Sequence, residues 1–157
     1  MKALVVYYSL EGNTKFLAEA VAEAVGADIL ELKPEKDIPK KGFMRYIKGG
    51  SQVVRKKRPD LMSFDEDLSA YDFIYFGTPV WAASFAPSYN TFFDKVEVKG
   101  KKIALFCCYR GSAGSTFEHF KERLKGNEIV DTLEFKEPVK VEENKEKVMA
   151  WAKKLNR

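Results

Sequence analysis

Short apolar runs alternate along this chain with segments whose apolar residues recur at helical spacing. Residues 3–8 are apolar at every position, which is typical of a strand buried on both faces of a sheet. The pattern recurs at residues 73–76 and 103–108, and weaker runs at residues 28–32 and 129–135 predict two more strands. Helices between such strands favour an α/β fold with a five-stranded parallel sheet, right-handed crossovers and helices on both faces.

Several predicted elements carry a recognisable end. The first helix is predicted to end at Gly26, and the strand at residues 73–76 is predicted to be stopped by Gly77, Thr78 and Pro79. Ser115 with Glu118 three residues later matches a capping box, which predicts the start of another helix. Residues 142–155 predict the last helix.

Residues 33–71 are the longest stretch without a clear pattern. Phe43, Ile47 and Val54 could form the apolar stripe of a helix, but the adjacent glycines at 49 and 50 would weaken or split it. The chain shows no internal repeat and no linker, so we expect one domain over residues 1–157.

Composition excludes some classes of protein. With 45% hydrophobic and 32% charged residues, the chain has the composition of a soluble globular protein, and no apolar run approaches the ~20 residues of a membrane span. No signal peptide is visible after Met1. Cys107 and Cys108 are adjacent, so they cannot form an ordinary bridge within the chain, and we expect a reducing cytoplasm.

One segment is strongly basic. Residues 40–59 contain eight cations and no acid, so the rest of the chain carries a net charge of −4 although the total is +4. The cations are Lys40, Lys41, Arg45, Lys48, Arg55, Lys56, Lys57 and Arg58. The segment is interpreted as a solvated surface or as a docking surface for an acidic partner protein. Nucleic acid is disfavoured because no recognisable binding motif accompanies the charge.

A small polar loop follows the first strand. Residues 9–14 read Ser-Leu-Glu-Gly-Asn-Thr and lead straight into a helix, whose free N–H groups and positive end attract an anion, most simply a phosphate. No Lys or Arg lies in this loop, so neutral donors would hold the anion. The alternative is that the loop only caps the helix, and the P-loop and dinucleotide fingerprints are both absent.

Three loops are expected at one edge of the sheet. Residues 9–14, 77–84 and 108–114 all follow strands, and ligands of open parallel sheets bind beyond the carboxyl ends of the strands. The glycines, hydroxyls and exposed aromatic side chains are concentrated in these loops. The pattern therefore predicts one site built from three loops.

Over essentially its whole length, the chain resembles a short-chain flavodoxin. Residues 9–14 are similar to the phosphate loop of that family, residues 77–81 (Gly-Thr-Pro-Val-Trp) resemble its first flavin-ring loop, and residues 108–114 lie where the second ring loop is found. The resemblance implies strand order 2-1-3-4-5 and bound flavin mononucleotide (FMN). It further implies electron transfer between redox partner proteins, with no catalytic residue, and we expect a monomer.

The resemblance assigns the site residue by residue. The phosphate would be held by Ser9, Leu10, Glu11, Gly12, Asn13 and Thr14, and the ring would lie among Thr78, Pro79, Val80, Trp81, Ala82, Cys108, Tyr109, Arg110, Gly111 and Gly114. Trp81 is expected to stack on the ring, with core packing as its alternative. The first ring loop lacks the glycine common in the family, and Arg110 near the ring would favour the anionic reduced flavin.

Other interpretations stay open. The same fold could carry an FMN-dependent NAD(P)H quinone or nitro-compound reductase, in which the basic segment recognises nicotinamide cofactor phosphates, or a flavin-free binding module. The two cysteines are interpreted as small apolar residues rather than redox centres. His119, the single histidine, is expected at the surface or in a helix cap, and neither a metal site nor a hydrolytic triad is supported.

Overall fold

The apolar runs form one parallel sheet in the computed structural model, which describes residues 1–37, 48, 50, 51, 53 and 55–157. The sheet has the order β2-β1-β3-β4-β5, which confirms the predicted flavodoxin-like topology. The strands are β1 (Ala3–Tyr7), β2 (Asp28–Glu31), β3 (Phe73–Pro79), β4 (Lys102–Tyr109) and β5 (Glu128–Lys136).

Four α-helices whose bounds lie within the described residues cover both faces of the sheet, and the described residues 48, 50, 51 and 53 are helical as well. The four helices are α1 (Asn13–Val25), α2 (Ser88–Lys95), α3 (Thr116–Arg123) and α4 (Glu142–Leu155), and a short 3-10 helix spans Leu68–Ala70. Side chains of β1 alternate between the two cores: Val5 packs on the α1–α4 side, whereas Val6 packs on the α2–α3 side. Every position of β1 is apolar because both faces are buried.

β3 does not stop at Gly77, as the sequence predicts, but continues to Pro79. Gly77 pairs with Tyr7 of β1 and with Phe106 of β4, so it is an ordinary ladder position of a central strand. The Phe106 ring fills the space above it, because a Cβ atom on Gly77 would lie 2.3 Å from Phe106 Cζ. Glycine here allows close packing and does not end the strand.

The predicted capping box at the start of α3 is not formed. Ser115 makes no side-chain hydrogen bond to the first turn, and its backbone N–H instead donates to Ala83 O at 2.8 Å. Thr116 Oγ1 donates to Ala113 O at 2.6 Å. A long-range contact with the loop after β3 has therefore replaced the local cap. Gly26, in contrast, ends α1 as predicted. It adopts φ +66°, and its backbone N–H donates a hydrogen bond to Ala22 O.

The remaining differences are small. β2 ends one residue earlier than predicted, and β5 is longer by one residue at each end. The apolar stripe predicted for Phe43, Ile47 and Val54 lies outside the described residues. None of the helices in the described ranges is long and apolar enough to cross a membrane. The single-domain organisation stays a prediction.

Candidate functional site

The loops after β1, β3 and β4 meet around a cavity of about 400 Å³. Sequence-predicted site residues that line it are Ser9, Leu10, Glu11, Asn13, Thr14, Pro79, Val80, Trp81, Ala82, Cys108, Tyr109, Arg110 and Gly111. Gly12, Thr78 and Gly114 do not line it. Parallel strands end at the same edge of the sheet, which is why loops so distant in sequence share one cavity.

The loop between β1 and α1 presents an uncapped helix end. Gly12 is the N-cap of α1 and has φ +96°, a conformation that favours glycine. Its N–H donates to Ser9 Oγ at 3.0 Å. The first turn of α1 contains no acidic residue and receives no side-chain cap, so its N–H groups and the positive end of the helix are available to an anion.

The side chains of two predicted phosphate donors have partners within the protein. Asn13 Nδ2 donates to Glu137 Oε1 at 2.9 Å, and Thr14 Oγ1 lies 3.1 Å from Cys108 Sγ. These contacts attach the loop to the ends of β5 and β4. Burial raises the pKa of the Cys108 thiol to about 12 and raises that of Cys107 as well, so both remain protonated at neutral pH.

The loop after β3 is a tight two-residue turn. Trp81 and Ser84 exchange backbone hydrogen bonds at 2.9 and 3.0 Å, while Ala82 and Ala83 between them adopt φ +45° and +62°. Positive φ at both central positions is the hairpin geometry that Asn and Gly normally occupy, and each alanine costs on the order of 1 kcal/mol there. Contacts with other parts of the protein must therefore stabilise the turn in this conformation.

Residues at the start of α3 supply those contacts. A Cβ atom on Gly114 would lie 2.5 Å from Ala83 Cβ, so the lack of a side chain at Gly114 allows the turn to pack closely against the segment before α3. Ser84 Oγ lies 2.7 Å from His119 Nδ1, and the His119 ring packs edge-on against Phe85. His119 thus holds the turn from α3, a role that the expectation of a surface or capping residue did not include.

Trp81 belongs both to the cavity and to the core. Its indole lines the cavity and packs edge-on against Tyr8, with ring centroids 5.3 Å apart. Tyr8 in turn donates its hydroxyl to both carboxylate oxygens of Asp37, and burial raises its pKa far above the ordinary value. Thr78, by contrast, is fully buried. Its hydroxyl accepts a hydrogen bond from the Ala86 N–H, so Thr78 stabilises the loop after β3 without lining the cavity.

A family model described as Flavodoxin matches residues 2–155. The chain belongs to the flavodoxin family. A flavoprotein from Lactobacillus acidophilus, solved in complex with FMN, has 25% sequence identity and a TM-score of 0.74, covering 85% of this chain and 92% of that one. A flavoprotein from Bacteroides uniformis has 26% identity, a TM-score of 0.80 and 97% coverage of both chains. Oxidised flavodoxin 2 from Bacillus cereus, at 23% identity and a TM-score of 0.62, covers 97% of this chain and 95% of that one and shares the fold.

Arg110 at the cavity of this flavodoxin-family protein is paired with two carboxylates. Arg110 Nε donates to Glu137 Oε2 at 2.6 Å, and its Nη2 lies 3.9 Å from Glu11 Oε2. Glu137 also accepts from Asn13 and is positioned by its own N–H, which donates to Tyr109 O at 2.8 Å. Arg110 thus links the loop after β4 to the loop after β1 through two carboxylates.

Sequence analysis missed four lining residues and a cation. Gly50, Ala83, Ser112 and Glu137 also line the cavity. Lys140 Nζ donates to Glu11 O at 3.2 Å, which brings a positive charge to a loop that has none of its own. Glu137 and Lys140 follow β5, so the rule that loops after parallel strands share one edge could have identified them.

The basic segment reaches the site in this flavodoxin-family protein. Gly50 lines the cavity, and Lys48, two residues earlier, is exposed. At the other end of the segment, Arg58 forms an ion pair with Asp94 of α2, which also pairs with Arg123 of α3. Among the described residues, no group of three His, Cys, Asp or Glu side chains is arranged to hold a metal ion.

Proposed function

We propose that this protein binds FMN non-covalently in the cavity and carries electrons between redox partner proteins. The observation that carries the proposal is the uncapped N-terminus of α1, which faces the same cavity as an indole and a phenol ring. The FMN complex of the Lactobacillus acidophilus neighbour supports the assignment. A cavity of about 400 Å³ is also in the usual range for a cofactor site.

The residues present fit the two ends of such a ligand. Backbone N–H groups of the loop other than that of Gly12, together with the hydroxyl of Ser9, would hold the phosphate, and Trp81 with Tyr109 would flank the ring. The flavin supplies the redox chemistry, whereas the protein supplies binding, electrostatics and exclusion of water. The Arg110 guanidinium also lines the cavity, but Glu137 and Glu11 offset its charge, so it adds little net positive charge beside a reduced cofactor.

The positive charge of the basic segment favours a negatively charged partner. Because Gly50 lines the cavity, the exposed Lys48 two residues earlier would lie near the route to the flavin. An acidic redox protein would be steered to this side. The same charge favours a second candidate, a reductase that receives hydride from a nicotinamide cofactor whose phosphates the segment binds. We propose a cytoplasmic monomer in either case.

The test is a titration of the purified protein with FMN and with riboflavin, followed by flavin fluorescence. FMN should bind in the micromolar range or tighter, and riboflavin much more weakly, because the phosphate loop would keep unpaired donors. Equal affinity would contradict the phosphate assignment, and absence of binding would indicate a flavin-free binding module. Fast NADPH oxidation with a quinone acceptor would favour the reductase over the carrier.

A further inference from the structure

Lys140 lies against the phosphate loop from outside it. The residue belongs to the connection between β5 and α4, and its Nζ donates to Glu11 O at 3.2 Å. The same Nζ is 3.0 Å from the point that a Cβ atom on Gly12 would occupy. The ammonium group therefore contacts two consecutive residues of the loop, at the N-cap of α1.

This position is electrostatically unfavourable for a cation without a counterion. A helix N-terminus carries roughly half a positive charge, which repels an ammonium group. Within the described part of the chain, no carboxylate lies at ion-pair distance from Lys140. Glu137, three residues before it, is already engaged by Arg110 and Asn13. The exposed Lys140 side chain could extend into water, yet it lies on the loop.

We infer that Lys140, which lies against the loop without lining the cavity, strengthens phosphate binding at the proposed FMN site by supplying the positive charge that residues 9–14 lack. The inference rests on the proposed function. A phosphate monoester has a second pKa of about 6 and is mostly a dianion at neutral pH, so a nearby ammonium stabilises it. Riboflavin has no phosphate and gains nothing from Lys140. Lys140 would therefore raise selectivity for the phosphorylated flavin without contacting the ring.

The experiment compares FMN and riboflavin affinities of the parent with those of Lys140→Gln, Lys140→Arg and Lys154→Gln. Lys154 is an exposed residue near the far end of α4, about 20 Å along the helix, and its replacement removes the same charge. Lys140→Gln should weaken FMN binding about 3- to 10-fold at low ionic strength and leave riboflavin unchanged. Lys140→Arg and Lys154→Gln should bind FMN like the parent.

Two further readouts separate charge from loop geometry. The difference between Lys140→Gln and the parent should shrink as salt is raised, because the residue is exposed. The phosphorus NMR signal of bound FMN should titrate at higher pH in Lys140→Gln, since loss of the cation favours the monoanion. Neither effect is expected if Lys140 only holds Glu11 in place.

The outcomes distinguish this inference from the proposed function. If the parent binds neither flavin, the proposed function fails. If the parent prefers FMN and Lys140→Gln keeps the same preference, only the role of Lys140 is overturned. Equal losses of FMN and riboflavin affinity in Lys140→Gln would also overturn it, because they would show that the residue supports the loop and does not bind phosphate.

Discussion

The Phe106 ring occupies the space that a side chain on Gly77 would need. The two residues pair across β3 and β4, and a Cβ atom on Gly77 would lie 2.3 and 2.4 Å from two ring carbons of Phe106. The same ring also packs in a T-shaped arrangement with Trp151 of α4, with centroids 6.4 Å apart. Gly77 thereby lets β3 continue to Pro79, where the loop that carries Trp81 begins.

Replacement of Gly77 by alanine should destabilise the fold. The added methyl overlaps Phe106, and overpacking of this kind costs about 1–3 kcal/mol. Urea unfolding of the flavin-free protein measures the loss. The control is Gly111→Ala, whose Cβ meets no atom within 4 Å, so its stability should change by less than about 0.5 kcal/mol. A Gly77→Ala variant as stable as Gly111→Ala would show that the ring moves aside without strain.

Trp81→Ala should weaken FMN binding by about 1–2 kcal/mol, because an aromatic contact and buried area are lost from the cavity wall. Trp151 is the other tryptophan and lies in α4, so Trp151→Phe leaves Trp81 as the single indole reporter. In that background, Trp emission should fall as FMN is added. If Trp81→Ala binds FMN normally but unfolds more easily, the contact with Tyr8 is the main role of Trp81.

Stability should fall as the pH is raised above about 8.5, the pKa of a thiol in an unfolded chain. Burial raises the pKa of Cys108 to about 12, so the native state keeps a proton that the unfolded state loses. The unfolded state then binds fewer protons, and each such thiol lowers the free energy of unfolding by about 1.4 kcal/mol per pH unit. The free energy of unfolding continues to fall until the pH reaches the pKa of the Cys108 thiol in the folded protein, about 12.

Unfolding curves between about pH 8 and pH 10 check this slope, since tyrosines of the unfolded chain titrate mainly above that range. Cys108→Ala removes one titrating group and should give a shallower slope. Val148→Ala also truncates a buried side chain but removes no titrating group, so its slope should match that of the parent. Identical slopes in Cys108→Ala and the parent would contradict the assignment.

Electron transfer to an acidic redox protein should slow steeply with ionic strength. Arg55, Lys56 and Lys57 are exposed, and no described carboxylate pairs with them, whereas Arg58 is held by Asp94. Replacement of those three by glutamine should flatten the salt dependence and leave FMN affinity unchanged, because charge steering is screened by salt.

Stopped-flow rates across a salt series decide the role of the basic segment. The matched control replaces Lys153, Lys154 and Arg157 by neutral residues, which removes the same charge from the C-terminal region. That control should retain most of the parent's salt dependence. If all three proteins share one slope, the segment is a solvated surface without a steering role.

Local sequence patterns determined the strands, the parallel sheet and the edge at which the cavity lies, but not the strand order, which only the family resemblance implied. A strand buried on both faces must be apolar at every position, so residues 3–8, 73–76 and 103–108 were recognisable without a structure. Parallel connections bring the carboxyl ends of these strands to one edge, so the loops that follow them were expected to meet. These inferences depend only on periodicity and on neighbours close in the chain.

The tertiary structure alone decided which partners the side chains have. The local sequence predicts that Gly77 ends a strand, but the structure shows it packed closely against the Phe106 ring. The local sequence also predicts that the Ser115 side chain caps a helix, but in the structure the Ser115 backbone N–H donates to Ala83 O. Lys140 comes within reach of Glu11 although 129 residues separate them. Such contacts form between residues that are far apart in the chain and become neighbours only when the strands and loops pack together. A pattern within a short window of sequence therefore cannot predict them.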